Sequence, residues 1–131
     1  MNTRLYFEND YDHIKPWWVG RWGDAPAKAL LPKSGVVAFD GKSNIVAAFV
    51  YLDMTSPVAL ISWVVGNPER SARDILKALK LAIGALKEIA ISQARTFIVA
   101  NFPSGSLARV FESCGFVSKE KDMENLTWEA T

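Results

Sequence analysis

The chain has 131 residues, 50% of them hydrophobic and 22% charged, with a formal net charge of +1. That length and composition fit a single packed domain over residues 1–131 and exclude a largely disordered chain. The near-neutral balance lacks the basic footprint of a nucleic-acid binder, and one cysteine (Cys114) with one histidine (His13) leaves neither an intrachain disulfide nor an ordinary zinc ligand set.

The opening stretch "MNTRLYFEND" lacks the apolar core of a signal peptide. The longest apolar run, "VALISWVVG" at 58–66, is far shorter than the ~20 residues that span a bilayer. A cytoplasmic protein with no membrane partner is expected.

Residues 3–8, "RLYFEN", read as a short first strand. In "DYDHIKPWWVGRWGDAP", Pro16 and Gly20 are expected to break any long helix, leaving a short helix or turn region with Trp17, Trp18 and Trp22. "GVVAFDGKSNIVAAFVYLD" holds two strand-like runs around Asp40-Gly41, a strong hairpin signal. "PVALISWVVG" adds a third run, so residues 36–65 predict a three-strand antiparallel meander.

The clearest helix follows in "SARDILKALKLAIGALKEIAIS". Ile75, Leu76, Leu79, Ile83, Leu86 and Ala90 recur at helical spacing, with Lys77, Lys80, Lys87 and Glu88 mostly off that stripe. Ser71 is the expected N-cap, and Gly84 is a local flaw or a close-packing point. "RTFIVANF" at 95–102 reads as a buried strand parallel to 58–66, completing a βαβ unit. In "NFPSGSLARVFESCGF", Ser104 or Ser106 caps a short helix with Leu107, Val110, Phe111 and Cys114 facing inward. Gly115 is its left-handed stop, with Phe116 packed beneath. "FVSKEKD" and "NLTWEA" predict a final hairpin.

A helix start after a strand offers free N–H groups and a dipole that favours anions. "GNPERSARD" at 66–74 is such a place, with Arg70 and Arg73 able to hold a pyrophosphate. The same residues also suit an ordinary capped helix with solvated arginines.

The order of elements and "NFPSGSLARVFESCGF" resemble the GNAT superfamily of acyl-CoA-dependent N-acetyltransferases, over roughly residues 34–130. Asn101, Ala108, Phe111, Glu112, Gly115 and Phe116 stand at the positions of its "N…A…YE…GF" segment, and "VVGNPER" is similar to its "V-x-P-x-x-R" stretch. More narrowly, "LLPKSGVVAFDGKSNIVAA" and "WVVGNPERSAR" resemble small bacteriophage-encoded acetyltransferase-like proteins, which would place the chain in the host cytoplasm. The resemblance implies an α/β, GNAT-like fold: a central mixed sheet, an antiparallel meander, one splayed parallel strand pair and flanking helices. It implies acetyl-CoA as cofactor and a primary amine, on a protein or a small molecule, as acceptor. Val64, Val65, Gly66 and Asn67 would border the pantetheine arm. Arg70, Ser71, Ala72, Arg73 and Asp74 would hold the pyrophosphate, and Asn101 and Phe111 would complete the cofactor site. Trp17, Trp18, Arg21 and Tyr51 are the candidates for the acceptor side, though Trp17, Trp18 and Trp22 equally suit a partner-binding patch or, for two of the three, core contacts of the first helix. A homodimer is compatible with this reading.

Three regions depart from the family pattern. The loop reads Arg70-Ser71-Ala72-Arg73-Asp74 where the family carries glycines. Phe111 stands where a tyrosine acid is frequent. Leu60, Ile61, Ser62 and Trp63 occupy a strand region that often holds a glutamate base. Ser62, Asn101 and Ser104 are the remaining catalytic candidates, though each also suits a local role as strand, turn or cap residue. Cys114 fits a buried thiol better than a nucleophile, and His13 is a loop histidine without a partner in sequence. The alternative is a non-catalytic protein of the same fold that binds a partner, such as a host protein.

Overall fold

The computed structural model describes residues 1–102, 105–120, 123–124 and 126–130. Five strands form one mixed sheet in chain order: β1 (Asn2–Leu5), β2 (Gly35–Phe39), β3 (Asn44–Leu52), β4 (Val58–Gly66) and β5 (Phe97–Ala100). β1 to β4 are antiparallel neighbours, and β5 runs parallel to β4. The helices are α1 (Tyr11–Trp22), α2 (Ala72–Ser92) and α3 (Ser106–Ser113). This is the predicted meander followed by a βαβ unit.

Each face of the sheet has its own core. Val36, Ala38, Val46, Ala48, Val50, Ala59 and Ile61 pack with Ala78, Leu79, Ala82, Ile83, Leu86 and Ala90 of α2 and with Phe111 of α3. Val37, Ala47, Phe49 and Val65 pack on the other face with Tyr6 and with Tyr11, Ile14, Trp17 and Trp18 of α1. The alternation follows from the two-residue period of a strand. Gly35 makes the second core possible, because a Cβ there would lie 2.5 Å from the Phe49 ring.

Several expectations need correction. α1 runs through both Pro16 and Gly20 for 12 residues. Pro16 and Asp12 are exposed, so the Asp12 carbonyl that loses its helical N–H partner faces water. Meanwhile Tyr11, Ile14, Trp17 and Trp18 give the helix a buried stripe. Leu76 is 43% exposed, and its expected place on the inward stripe is taken by Ala78 and Ala82. Gly84 faces open space, so it is not a close-packing point. β5 is partly buried rather than buried, with Phe97 59% exposed.

The N-cap of α3 is Gly105, without a side-chain cap; Ser106 is already helical, and Ser104 lies outside the described residues. The described residues from 116 onward form no strand, so the expected final hairpin is not seen among them. Gly115 is the left-handed stop of α3, with φ at 94°.

Candidate functional site

β4 is longer than its parallel partner. The β4–β5 register runs from Val58↔Phe97 to Ile61↔Ala100 and ends there, while β4 continues to Gly66. From Ser62 to Gly66 the β5-side edge of β4 therefore meets no strand among the described residues. A bulge lies in this stretch: Ser62 pairs with Phe49 and Val65 with Ala47, so Trp63 and Val64 face Ala48 alone. Trp63 adopts a left-handed backbone, with φ at 57°. The bulge bends β4 where the free edge begins, leaving N–H and C=O groups available to an extended ligand.

The first turn of α2 stands at the end of this edge. A Cβ on Gly66 would come within 3.1 Å of Ile75, so the helix start packs closely on the strand end. Ser71 is the N-cap, and its hydroxyl accepts the Asp74 N–H at 3.1 Å. The backbone N–H groups of Ser71, Ala72 and Arg73 have no acceptor among the described residues. Asn67 is buried, but its side chain is spent on the turn. Its Nδ2 donates to the Asn44 carbonyl at 2.9 Å, and its Oδ1 accepts the Glu69 N–H at 2.9 Å.

The two arginines part company. Arg70 donates to both carboxylate oxygens of Asp40, to the Ser43 hydroxyl at 3.0 Å and to Asp74. This clamp ties the start of α2 to the β2–β3 turn. The Arg70 hydrogen bonds, with the Lys42 N–H, hold the Asp40 carboxyl well below the ordinary aspartate range. Asp40 and Asp74 raise the guanidinium of Arg70 in turn. Its charge is therefore largely answered within the protein. Arg73 is exposed and, among the described residues, has no ion-pair partner. With Leu76, Lys77 and Lys80 it lines a shallow groove of about 230 Å³ on α2. Arg73, Lys77 and Lys80 are spaced i, i+4, i+7 on one helix face, a signal the sequence carries but the apolar stripe overshadows.

Phe111 is 2% exposed, with ring centroids of Phe102 and Phe116 at 4.9 and 5.1 Å. It is a core residue with no proton to give. Ser62 is half-buried on β4, and Asn101 is exposed just past β5. Trp17 and Trp18 are buried in the α1 core, so neither ring lines an open pocket here. Arg21 is exposed and lies 5.4 Å from the Trp22 ring centroid. Tyr51 is placed differently: its hydroxyl donates to the Leu30 carbonyl at 2.6 Å and accepts Trp63 Nε1–H at 2.7 Å. Sequence reasoning does not single out Asp40, Lys77, Lys80 or Trp63 for the site. No cluster of metal-ligating side chains occurs among the described residues, nor is any helix there long and apolar enough to cross a membrane.

No family model matches the sequence, and no curated protein matches it in sequence. Solved structures do match the fold. TTHA1254 from Thermus thermophilus superposes with a TM-score of 0.74 at 16% identity, covering 100% of both chains. The aminoglycoside 6'-N-acetyltransferase AAC(6')-IG from Acinetobacter haemolyticus gives 0.65 at 16% identity, covering 99% of this chain and 100% of that one. The fold is that of the GNAT acetyltransferases. AAC(6')-Iy, solved with the bisubstrate analog CoA-S-monomethyl-acetylneamine, gives 0.73 at 13% identity over 97% of each chain.

Proposed function

We propose that this chain is a single-domain acyl-CoA N-acyltransferase that passes an acetyl group from acetyl-CoA to a primary amine. The carrying observation is the β4 edge from Ser62 to Gly66, which continues past the end of β5 and runs into the start of α2. An extended pantetheine arm can pair with such an edge as an added strand. The N–H groups of Ser71 to Arg73 and the cations Arg73, Lys77 and Lys80 then meet the phosphates. Arg70 braces the loop rather than holding a phosphate, because Asp40 and Asp74 occupy it. The cations offered to the cofactor are thus Arg73 with Lys77 and Lys80, in place of the Arg70–Arg73 pair that the sequence suggests. AAC(6')-Iy, solved with a CoA-derived analog, supports this reading by its fold alone.

Acetyl-CoA supplies a thioester whose carbonyl carbon accepts an attacking amine. The amine nitrogen forms the new C–N bond as the C–S bond breaks; its proton leaves to water, and the thiolate takes a proton from solvent. The chain contributes mainly position along the β4 edge. β4 carries no carboxylate from Val58 to Gly66, and Phe111 is no acid, so proton transfer falls to water. A slow enzyme with a rising rate at alkaline pH follows, since only the neutral amine attacks.

The second reading is a non-catalytic partner-binding protein. The neutralised Arg70 and the buried Phe111 favour it. Incubation with [14C]acetyl-CoA and a panel of amines and peptides separates the two. Acceptor-dependent label transfer supports the enzyme. Acetyl-CoA binding with no transfer to any acceptor favours the binder.

A further inference from the structure

Trp63 is the one aromatic residue held in a left-handed backbone conformation, φ 57°, among the described residues. Such a conformation persists only where the surroundings over-determine it, and it clusters at functional sites. Here the β4 bulge sets the backbone, and two hydrogen bonds fix the side chain. Trp63 Nε1–H donates to the Tyr51 hydroxyl, and Tyr51 donates onward to the Leu30 carbonyl. The indole has spent its only polar atom inside the protein. Trp63 nevertheless remains 37% exposed, so what it offers outward is ring surface.

Its position matters as much as its conformation. Trp63 immediately precedes Val64–Gly66, at the bulge where the β4 edge becomes free. Tyr51 lies two residues from Phe49 on β3, hence on the sheet face that carries α1. The bonded Tyr51–Trp63 pair therefore borders the free edge on the face opposite α2. The phosphate-binding features, Arg73, Lys77 and Lys80, are on α2. A ligand on the far side of the edge meets aromatic surface and no β4 carboxylate.

We infer that the exposed face of Trp63, fixed by Tyr51, selects the acceptor by a cation–π contact with an alkylammonium group. This rests on the acyltransferase reading and deepens it. The favoured acceptor class is an alkylamine with two or more amino groups: one, neutral, reacts, and a second, protonated, sits on the indole. The ring quadrupole attracts a cation without needing the missing carboxylate. Trp63 is a specificity-determining residue and Tyr51 a positioning residue.

The test uses 1H–15N spectra of the full chain titrated with spermidine, and separately with uncharged 1,4-butanediol. Backbone-linked assignment identifies the Trp63 indole N–H, and Trp63→Phe checks it where that variant folds. The expected result is a saturable shift of the Trp63 signal with spermidine, about tenfold weaker or more with the uncharged diol. The Trp22 and Trp128 indoles, both more exposed, serve as controls and stay unmoved. Tyr51→Phe releases the indole N–H to water, moves its signal before any ligand is added, and weakens the spermidine response. A silent Trp63, or equal shifts at all exposed indoles, overturns the inference. Calorimetry with acetyl-CoA on the same samples reads the acyltransferase proposal separately. Acetyl-CoA binding with a silent Trp63 sinks only the acceptor inference; a Trp63 response without acetyl-CoA binding sinks the enzyme reading and leaves an amine-binding site.

Discussion

Phe111→Ala tests the anchoring of α3 in the core shared with α2. The side chain is 2% exposed and belongs to the core shared with α2. Its ring lies 4.9 Å from Phe102 and 5.1 Å from Phe116, centroid to centroid. Truncation removes the transfer free energy of the ring and leaves a cavity, about 3–5 kcal/mol together for a buried phenylalanine. Loss of the two ring contacts falls within that figure rather than adding to it, since such pairs contribute about 0.5–1.5 kcal/mol each. Domains of this size are stable by about 5–15 kcal/mol, so the variant loses a large share of its margin. At about 3–5 °C per kcal/mol, the melting temperature falls by at least about 10 °C. Urea unfolding followed by far-UV circular dichroism measures the loss directly. Phe111→Leu keeps most of the apolar volume and loses less. A Phe111→Ala protein within about 1 kcal/mol of wild type would refute the packing of α3 on α2.

Gly35→Ala places a methyl group 2.5 Å from the Phe49 ring, in a core with no slack. A cost of about 1–3 kcal/mol in urea is expected, and a neutral result would contradict the register of β2 on β3. The Asp40–Arg70 clamp gives an acid-dependent signature. Asp40 titrates below its ordinary 3.8 in the folded chain, so its stabilisation is fully present above that value. It fades as the pH falls below it, because the unfolded carboxylate takes up a proton while the folded one is still ionised, and it is lost once the folded carboxylate is protonated too. The stability gap between wild type and Asp40→Asn is therefore constant from about pH 5 to 8 and closes below about pH 4. A gap that stays constant to about pH 2 would break the assignment. Arg73→Glu weakens acetyl-CoA binding by about tenfold or more, from the loss of a charge-assisted bond, with unfolding curves unchanged. Unaltered affinity would remove Arg73 from the phosphate site.

Much of the fold is legible in the residues because it rests on local patterns. Asp40-Gly41 sits between two strand-like runs, and the Asp40 side chain accepts the N–H groups of Lys42 and Ser43 in the turn. α2 shows its helical period and its Ser71 cap. α1 is obscured because Pro16 normally ends a helix, and only its placement on the wet side makes it tolerable. Leu76 misses its inward place because it borders the stripe, and the alanines at 78 and 82 let α2 lie close to the sheet.

The site is less legible. Arg70 looks like a phosphate ligand in "PERSAR", yet its partner Asp40 lies 30 residues away and is joined only by the fold. Nothing in the apolar run "VALISWVVG" marks a bulge at Trp63, which arises from the register of β3 on β4. The Tyr51–Trp63 bond spans 12 residues and two strands. Such tertiary pairings have no periodic signature.

Calorimetric titration of the purified chain with acetyl-CoA tests the central claim most directly. The account predicts saturable micromolar binding at one site per chain, weakened by Arg73→Glu. No heat of binding at millimolar acetyl-CoA would contradict it, and the β4 edge would then await a partner other than coenzyme A.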